Sequence, residues 1–242
     1  LPLWRLADIP RSYYERVVPL WPLAGWITGG CMALVFWGAS FILPTDICIV
    51  VALVARVLLT GALHEDGFAD FCDGFGGGHD RKRTLEIMKD SHIGTYGVLG
   101  LVLYFMLMYC VIGGIPTEVI PLLFLCGDPL CKWISSNIVR ILPYARKESE
   151  AKNKLVYTTI SKKESIASFA IGTLPIVLAI ATGIVPLHWL YAIIAPIIVF
   201  ALTTQMMRKR LNGYTGDCCG ALFIMCELAF CVSIAVLCHI NI

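Results

Sequence analysis

The stretch TGALHEDGFADFCDGFGGGHDRKRTLEIMKDSHIGTYG, residues 60–97, places a concentrated run of acidic and basic side chains directly after a long apolar segment. The chain around it has 242 residues, of which 58% are apolar and only 15% are charged. Soluble domains carry about 25% charged residues, so this composition is typical of a protein that crosses a membrane several times. A soluble helical core would instead have to bury several apolar runs of about 20 residues each.

Seven apolar runs are long enough to be membrane-spanning helices, because about 20 helical residues cross about 30 Å of hydrocarbon. A helix also satisfies its own backbone hydrogen bonds in lipid, whereas barrel strands would show a weaker, alternating pattern. The sequence therefore predicts an all-α, polytopic integral membrane bundle of about seven transmembrane helices, forming a single membrane-embedded domain over residues 1–242. The predicted spans are 20–43, 47–63, 94–114, 118–139, 165–184, 187–206 and 219–240.

Lys and Arg are distributed unequally among the connections between these spans. They precede the first span and follow the second, fourth and sixth, whereas the short connections that contain Pro44, Pro116 and Pro186 have none. Loops rich in Lys and Arg stay on the cytoplasmic side of a membrane. We therefore expect a multi-pass protein of the cytoplasmic membrane, with its N-terminus inside, its C-terminus outside, and two cytoplasmic polar segments at 64–93 and 140–164.

Three aspartates of the quoted stretch share one face of a helix, because Asp66, Asp70 and Asp73 are spaced i, i+4 and i+7. Such like charges repel unless a cation compensates them, and a set of oxygen ligands favours Mg²⁺, Mn²⁺ or Ca²⁺. Gly67 and Gly74 would leave room for a phosphate to approach the backbone. The pattern favours a magnesium site, and the alternative is a solvated acidic face at a helix end.

The polar residues on either side of these aspartates are open to several interpretations. His64 is a candidate base, a phosphate contact or an interfacial helix-end residue. Glu65 points about 100° around the helix from Asp66, so it does not clearly belong to the metal face. The segment 81–91 predicts a short amphipathic helix with Asp80 as its N-cap, whose positive charges face anionic lipid or hold a pyrophosphate beside the metal.

Ionisable side chains also occur within the predicted spans, where they are expensive and usually face the interior of a bundle. Asp128 and Lys132 are spaced i, i+4 in the fourth span and form either a structural ion pair or part of a binding site. Asp217 lies at the cytoplasmic mouth of the last span, and Glu227 lies about three turns deeper. Arg56, in the second span, has Glu227 or Asp128 as alternative partners.

Two segments of the polar stretch resemble the cobalamin synthase family, the adenosylcobinamide-GDP ribazoletransferases. TGALHEDGFADFCDGF at 60–75 contains the H-x-D-G-x-x-D-x-x-D-G run of that family, and RTLEIMKDSHIGTYGVLGL at 83–101 contains its E-I-M-K-D-S-x-x-G-T-x-G-like segment. Both occur in the family's order and at matching spacing. The resemblance extends to WPLAGWITGG at 21–30, Lys132, YAR at 144–146 and GYTGDCCGALFIMCEL at 213–228, and so covers nearly the whole chain.

The resemblance implies a Mg²⁺-dependent membrane enzyme, so that the domain over 1–242 is catalytic. It would join adenosylcobinamide-GDP to α-ribazole or its 5′-phosphate, giving adenosylcobalamin or its phosphate together with GMP. Such a transfer demands chiefly positioning and charge neutralisation. In this hypothesis Asp66, Asp70 and Asp73 bind the metal, and Asp73, Asp90 or His64 removes the proton from the attacking ribazole hydroxyl.

Substrate contacts are expected from a further set of basic, acidic and small residues. They are Lys89, Lys132, Arg146, Asp217, Gly67 and Gly74. The expected partners are the two substrates and the lipid bilayer, without nucleic acid, and a homodimer is left open.

Two positions depart from the family pattern. Glu65 stands where an apolar residue is common, and His92 stands where Arg is frequent. The first leaves a carboxylate unexplained, and the second weakens the case for a phosphate contact at residue 92.

Two other classes of membrane protein are alternatives. A CDP-alcohol phosphotransferase would carry a D-G-x-x-A-R pattern, which the residues after Asp66-Gly67 do not match. A cation transporter would have acidic residues near the membrane midplane with broken helices around them, whereas the acidic residues here cluster at the mouth of a span.

Overall fold

The computed structural model describes residues 16–146 and 160–240. Residues 1–15, and residues 147–159 of the predicted basic segment at 140–164, lie outside these ranges. The described helices are α1 (Trp21–Ala39), α2 (Thr45–Thr60), α3 (Leu63–Gly77), α4 (Arg81–Ile87), α5 (Thr95–Gly113), α6 (Ile120–Ser136), α7 (Ile138–Ile141), α8 (Lys162–Ala181), α9 (Ile194–Leu211) and α10 (Gly216–His239), with 3₁₀ helices at Val18–Leu20 and Leu187–Ile193.

The predicted helical membrane bundle is confirmed. Five described helical segments are long and apolar enough to cross a membrane, and the count is six if the bent pair of α2 and α3 forms one span. These five are Val18–Ala39, Thr95–Gly113, Lys162–Ala181, Leu187–Leu211 and Gly216–His239. Two of the seven predicted spans do not qualify alone. At 47–63, α2 has 16 residues and qualifies only together with α3. At 118–139, α6 has 17 residues and packs inside the bundle against α1, α8 and α10.

The chain bends sharply between α2 and α3. Gly61 and Ala62 both have left-handed backbone conformations, with φ values of 65° and 60°. Glycine adopts this conformation freely, whereas alanine does so at a cost. The two helix axes meet at 90°, so α3 packs against α10 and α5 instead of extending α2. The acidic stretch therefore lies on a separate helix at a broken or re-entrant position.

Glycines allow α3 to approach its neighbours closely. A Cβ atom at Gly67 would lie 2.9 Å from the backbone oxygen of Asp217, and one at Gly220 would lie 3.2 Å from the backbone of α3. A Cβ at Gly74 would lie 2.3 Å from the side chain of Met88. Gly67 and Gly74 are thus covered by protein, which corrects the prediction that they leave room for a phosphate.

The predicted amphipathic helix after the acidic stretch is present as α4. Asp80 is its N-cap and accepts a hydrogen bond of 2.8 Å from the backbone N–H of Arg83, which lowers the pKa of the Asp80 carboxyl. Thr84 and Met88 are buried against the bundle, while Lys82 is exposed.

Three segments that carry Lys or Arg meet at one end of the bundle. Arg81, at the start of α4, donates hydrogen bonds to the backbone oxygens of Leu211 at 2.7 Å and Ala145 at 2.6 Å. Arg210, near the end of α9, donates to the backbone oxygen of Gly78. These contacts place α4, the end of α9 and the loop after α7 together, as the charge distribution predicts for connections on one side of a membrane.

Candidate active site

A cavity of ≈ 420 Å³ opens between α1, α3, α6, α10 and the loop at 144–146. Every sequence segment that carries the family resemblance contributes to its wall, apart from the segment at 83–101. Residues far apart in the chain therefore converge on one space. Its polar lining includes Thr28, His64, Asp66, Lys132, Arg146 and Asp217.

The three aspartates predicted as metal ligands have different surroundings. Asp66 is exposed and lines the cavity, and Asp70 lies one helical turn further along α3 and is half-buried. Asp73 is buried, and its two carboxylate oxygens accept backbone N–H bonds from Gly94 at 2.7 Å and Gly97 at 2.8 Å. Asp73 therefore ties α3 to the start of α5, and this geometry supports a capping role instead of the predicted metal ligation or base chemistry.

The remaining carboxylates suit a metal ion that is shared with a substrate. Among residues 16–146 and 160–240, no group of three or more His, Cys, Asp or Glu is arranged to hold a metal ion. Mg²⁺, however, commonly uses one or two protein carboxylates together with phosphate oxygens and waters. Asp66 and Asp70, at i and i+4 on one helix face, fit that requirement.

Lys132 brings a buried positive charge to the cavity wall. It forms an ion pair with Asp128 within α6 and donates a 3.1 Å hydrogen bond to Thr28, which in turn donates to Asp128 at 2.8 Å. Its Nζ atom also lies 3.8 Å from the ring centroid of Phe223, within the range of a cation–π contact. The pair predicted from the sequence is thus present, and its cation borders the cavity.

His64 and Asp217 line the same cavity from adjoining helices. His64 lies in the first turn of α3, and the centroid of its ring is 4.6 Å from that of Phe223 in α10. Asp217 lies in the first turn of α10, where Thr215 donates a 3.3 Å hydrogen bond to its carboxylate. A histidine and a second carboxylate therefore share this cavity with Asp66.

A second cavity, of ≈ 700 Å³, adjoins the first across Tyr144 and Arg146, which line both. Its charged lining comprises Arg81, Lys82, Lys89, Arg146 and Glu86, so that positive side chains predominate. Arg146 is fixed by a 2.9 Å hydrogen bond to the backbone oxygen of Leu85. The predicted substrate residues Lys89 and Arg146 are brought together here.

Asp90 belongs to neither cavity lining. It is exposed and accepts hydrogen bonds from the backbone N–H of His92 at 3.0 Å and from the His92 ring at 2.7 Å. These bonds lower the pKa of the Asp90 carboxyl, which makes it a weaker base. The structure thus gives no support to Asp90 as the general base.

Fold and site together define a multi-pass helical membrane protein whose carboxylates and buried cation face a cavity suited to an anionic substrate. The family model of cobalamin-5-phosphate synthase matches residues 1–235. This chain belongs to that family, which is a family of enzymes.

Curated relatives agree with this assignment. Adenosylcobinamide-GDP ribazoletransferases of Leptospira interrogans, Leptothrix cholodnii and Shewanella frigidimarina are 32%, 34% and 35% identical to this chain. The matches cover 98%, 93% and 91% of this chain and 91%, 92% and 83% of the respective relatives. No solved structure matches the chain. These relatives favour neither a CDP-alcohol phosphotransferase nor a cation transporter.

Proposed function

We propose that this protein transfers the cobinamide phosphate of adenosylcobinamide-GDP to α-ribazole or its 5′-phosphate, with release of GMP. The observation that carries the proposal is the convergence of Asp66, Lys132, Arg146 and Asp217 on one cavity in a chain of this family. A nucleotide pyrophosphate is highly anionic, so its transfer needs positive charge and carboxylate-held metal at the same place.

Bond changes in the reaction balance without a covalent enzyme intermediate. The ribazole hydroxyl oxygen attacks the phosphorus attached to cobinamide, and the bond from that phosphorus to the bridging oxygen breaks. GMP leaves with the bridging oxygen, and the hydroxyl proton passes to a base. A Mg²⁺ ion held by Asp66 and Asp70 would neutralise the pyrophosphate and the leaving GMP. Lys132 and Arg146 add fixed positive charge to the same cavity wall.

His64 is the base that the geometry favours. It lines the cavity beside Asp66, whereas Asp73 has both oxygens engaged by backbone amides and Asp90 lies outside the cavity lining. Histidine is the side chain that most often acts as a general base in enzymes. His64 therefore combines a location in the cavity with a side-chain type suited to this role.

The second cavity is suited to the phosphate of α-ribazole 5′-phosphate. The pyrophosphate occupies the first cavity in this proposal, so the 5′-phosphate is the substrate charge that remains to be neutralised. Arg146 borders both cavities, and Lys82 and Lys89 extend the positive lining away from Asp66. A phosphate monoester bound there would place the ribose between the two cavities.

We also propose that both cavities open to the cytoplasm of a cell whose cytoplasmic membrane holds the protein. Support comes from the contacts of Arg81 and Arg210, which gather the basic segments at the end of the bundle where Arg146 lies. In this orientation the N-terminus is inside and the C-terminus is outside. The nucleotide-activated substrate would then be used on the side where nucleotides are made.

The direct test is to incubate the purified protein in lipid vesicles with adenosylcobinamide-GDP, α-ribazole and Mg²⁺, and to measure GMP and the joined corrinoid. Equal amounts of the two products are expected. Omission of α-ribazole should abolish both, and the His64→Ala variant should slow both. A failure of the wild-type protein to form the joined product with either α-ribazole or its 5′-phosphate would contradict the proposal.

A further inference from the structure

A buried cluster of charged side chains connects the bend of α2 and α3 to the rest of the bundle. Arg56 is wholly buried and forms ion pairs with Glu227 of α10 and, at 3.1 Å, with Glu65 of α3. It also donates a 2.6 Å hydrogen bond to the hydroxyl of Tyr104 on α5, which donates to Glu227 at 3.1 Å. One arginine on α2 therefore contacts three other helices.

The ion pair between Arg56 and Glu65 spans the bend itself. Arg56 lies in the last turns of α2, Glu65 lies in the first turn of α3, and the left-handed residues Gly61 and Ala62 lie between them. Both partners are buried, so the contact is little screened by solvent. It acts as a brace across a 90° change of direction.

This brace fixes how the first turn of α3 is rotated. Successive residues of a helix point about 100° apart, so a Glu65 held toward the interior determines the directions of His64 and Asp66. These two neighbours line the first cavity, whereas Glu65 does not. The close contact at Gly67 sets the distance between α3 and α10 but lies beyond the bend.

The cluster has two carboxylates for one arginine, so the effect of Glu65 on the position of α3 can be tested apart from its effect on the stability of the fold. Arg56 faces two carboxylates, Glu65 and Glu227, so the fold would retain a paired arginine if Glu65 were replaced by an apolar residue. One oxygen of Glu65 and the Nε of Arg56 are buried without a hydrogen-bond partner among the described residues, which adds to the cost of keeping this carboxylate. Removal of one partner of a buried ion pair is costly when it leaves an unpaired charge, and Arg56 keeps Glu227 as a partner here.

We propose that Arg56 and Glu65 are positioning residues, which hold the start of α3 so that His64 and Asp66 face the cavity. This inference rests on the proposed function of that cavity.

The Glu65→Leu variant tests the brace, with Asp46→Asn as the control because Asp46 is an exposed carboxylate in the first turn of α2. We expect Glu65→Leu to unfold at the wild-type temperature or higher. It should nevertheless need about tenfold more Mg²⁺ for half-maximal GMP release, a change typical of a lost coupling between neighbouring residues. Backbone amides of residues 63–70 should exchange hydrogen faster than in wild type, and the control should match wild type in every measurement.

Two results would overturn the inference. One is an unchanged Mg²⁺ requirement together with unchanged exchange at residues 63–70. The other is a loss of thermal stability that parallels the loss of activity, which would make Glu65 a structural residue only. Should Glu65→Leu fail to fold, Glu65→Gln keeps the shape and removes the charge, and the same criteria apply to it. If the wild type forms no GMP, the proposed function fails, and the exchange rates alone then decide whether the brace exists.

Discussion

Asp73 accepts a 2.8 Å hydrogen bond from the backbone N–H of Gly97, across the interface between α3 and α5. Its second oxygen accepts the N–H of Gly94, which is the N-cap residue of α5. Orphan amides at a helix start are partly positive, and a carboxylate placed there stabilises the helix. Asp73 therefore has a structural role, although its spacing from Asp66 places both residues on one face of α3.

Asp73→Asn should therefore reduce the stability of the fold more than it reduces the rate of GMP release. The amide side chain keeps one acceptor but turns an N–H₂ group toward a backbone donor, so about 1–2 kcal/mol of unfolding free energy should be lost. We expect a lower unfolding temperature, less than a tenfold change in the GMP release of folded protein, and no recovery with added Mg²⁺. Normal stability with a loss of activity of about 10²-fold would return Asp73 to the catalytic set.

Asp66→Asn and Asp70→Asn should instead reduce the rate of GMP release more than they reduce stability. Each removes a carboxylate charge proposed to hold Mg²⁺ against the pyrophosphate while keeping the size of the side chain. GMP release should fall by about 10²-fold or more, because a well-placed electrostatic contact in a transition state is worth about 3 kcal/mol. Raised Mg²⁺ or added Mn²⁺ should restore part of the rate. Near-normal turnover in both variants would disprove the metal site.

Sequence patterns predict the spans of this fold well because each of them is a local property. A run of about 20 apolar residues has few alternatives to a membrane helix. The bend at Gly61 and Ala62 is different, because alanine rarely adopts a left-handed conformation and gives no local signal of one. The interior position of α6 is also not a local property, since most of its residues are buried by other helices.

The part of the site that lies on one face of α3 could be predicted from the sequence. The i, i+4, i+7 spacing predicts a shared face, but it does not distinguish Asp66, which borders a cavity, from Asp73, which meets amides over 20 residues away. The sequence likewise predicts Glu227 or Asp128 as the partner of Arg56 but does not decide between them. The partner is Glu227, which is 171 residues away in the chain. Phe223 was missed, since an aromatic residue in an apolar run gives no sign that cations will pack on it.

Lys132 should affect substrate binding beyond its pairing with Asp128. The Lys132→Met variant leaves Asp128 as an unpaired buried carboxylate, which should destabilise the fold by about 3–5 kcal/mol. The double variant Asp128→Asn, Lys132→Met removes this penalty and should fold, while its KM for adenosylcobinamide-GDP rises by about tenfold or more. Comparing thermal unfolding and KM in the single and double variants separates the two effects. Full activity in the double variant would reduce the pair to a structural feature.

The topology is open to impermeant thiol labelling. Cysteines introduced at Thr45 and His79 lie near opposite ends of the bent pair of α2 and α3. In intact cells the reagent should label position 45 and not position 79, and inside-out vesicles should show the reverse. The unsubstituted protein is the control, because its exposed Cys110 sets the background. Labelling of position 79 alone in intact cells would invert the orientation.

The second cavity should set the preference between α-ribazole 5′-phosphate and α-ribazole. Lys82 and Lys89 line it but do not line the first cavity, so their replacement should leave the reacting groups in place. In the Lys82→Met, Lys89→Met variant the KM for the phosphorylated substrate should rise about tenfold, which corresponds to about 1.4 kcal/mol. The KM for α-ribazole and the kcat with either substrate should stay near wild type.

Lys163→Met is the matched control for this pair, because Lys163 is an exposed lysine at the start of α8 and lines neither cavity. It should leave both KM values unchanged. The effect on the phosphorylated substrate should also weaken at high ionic strength, since contacts between exposed charges are screened by salt. A KM increase shared equally by both ribazole substrates, or one confined to adenosylcobinamide-GDP, would place a different part of the substrates in this cavity.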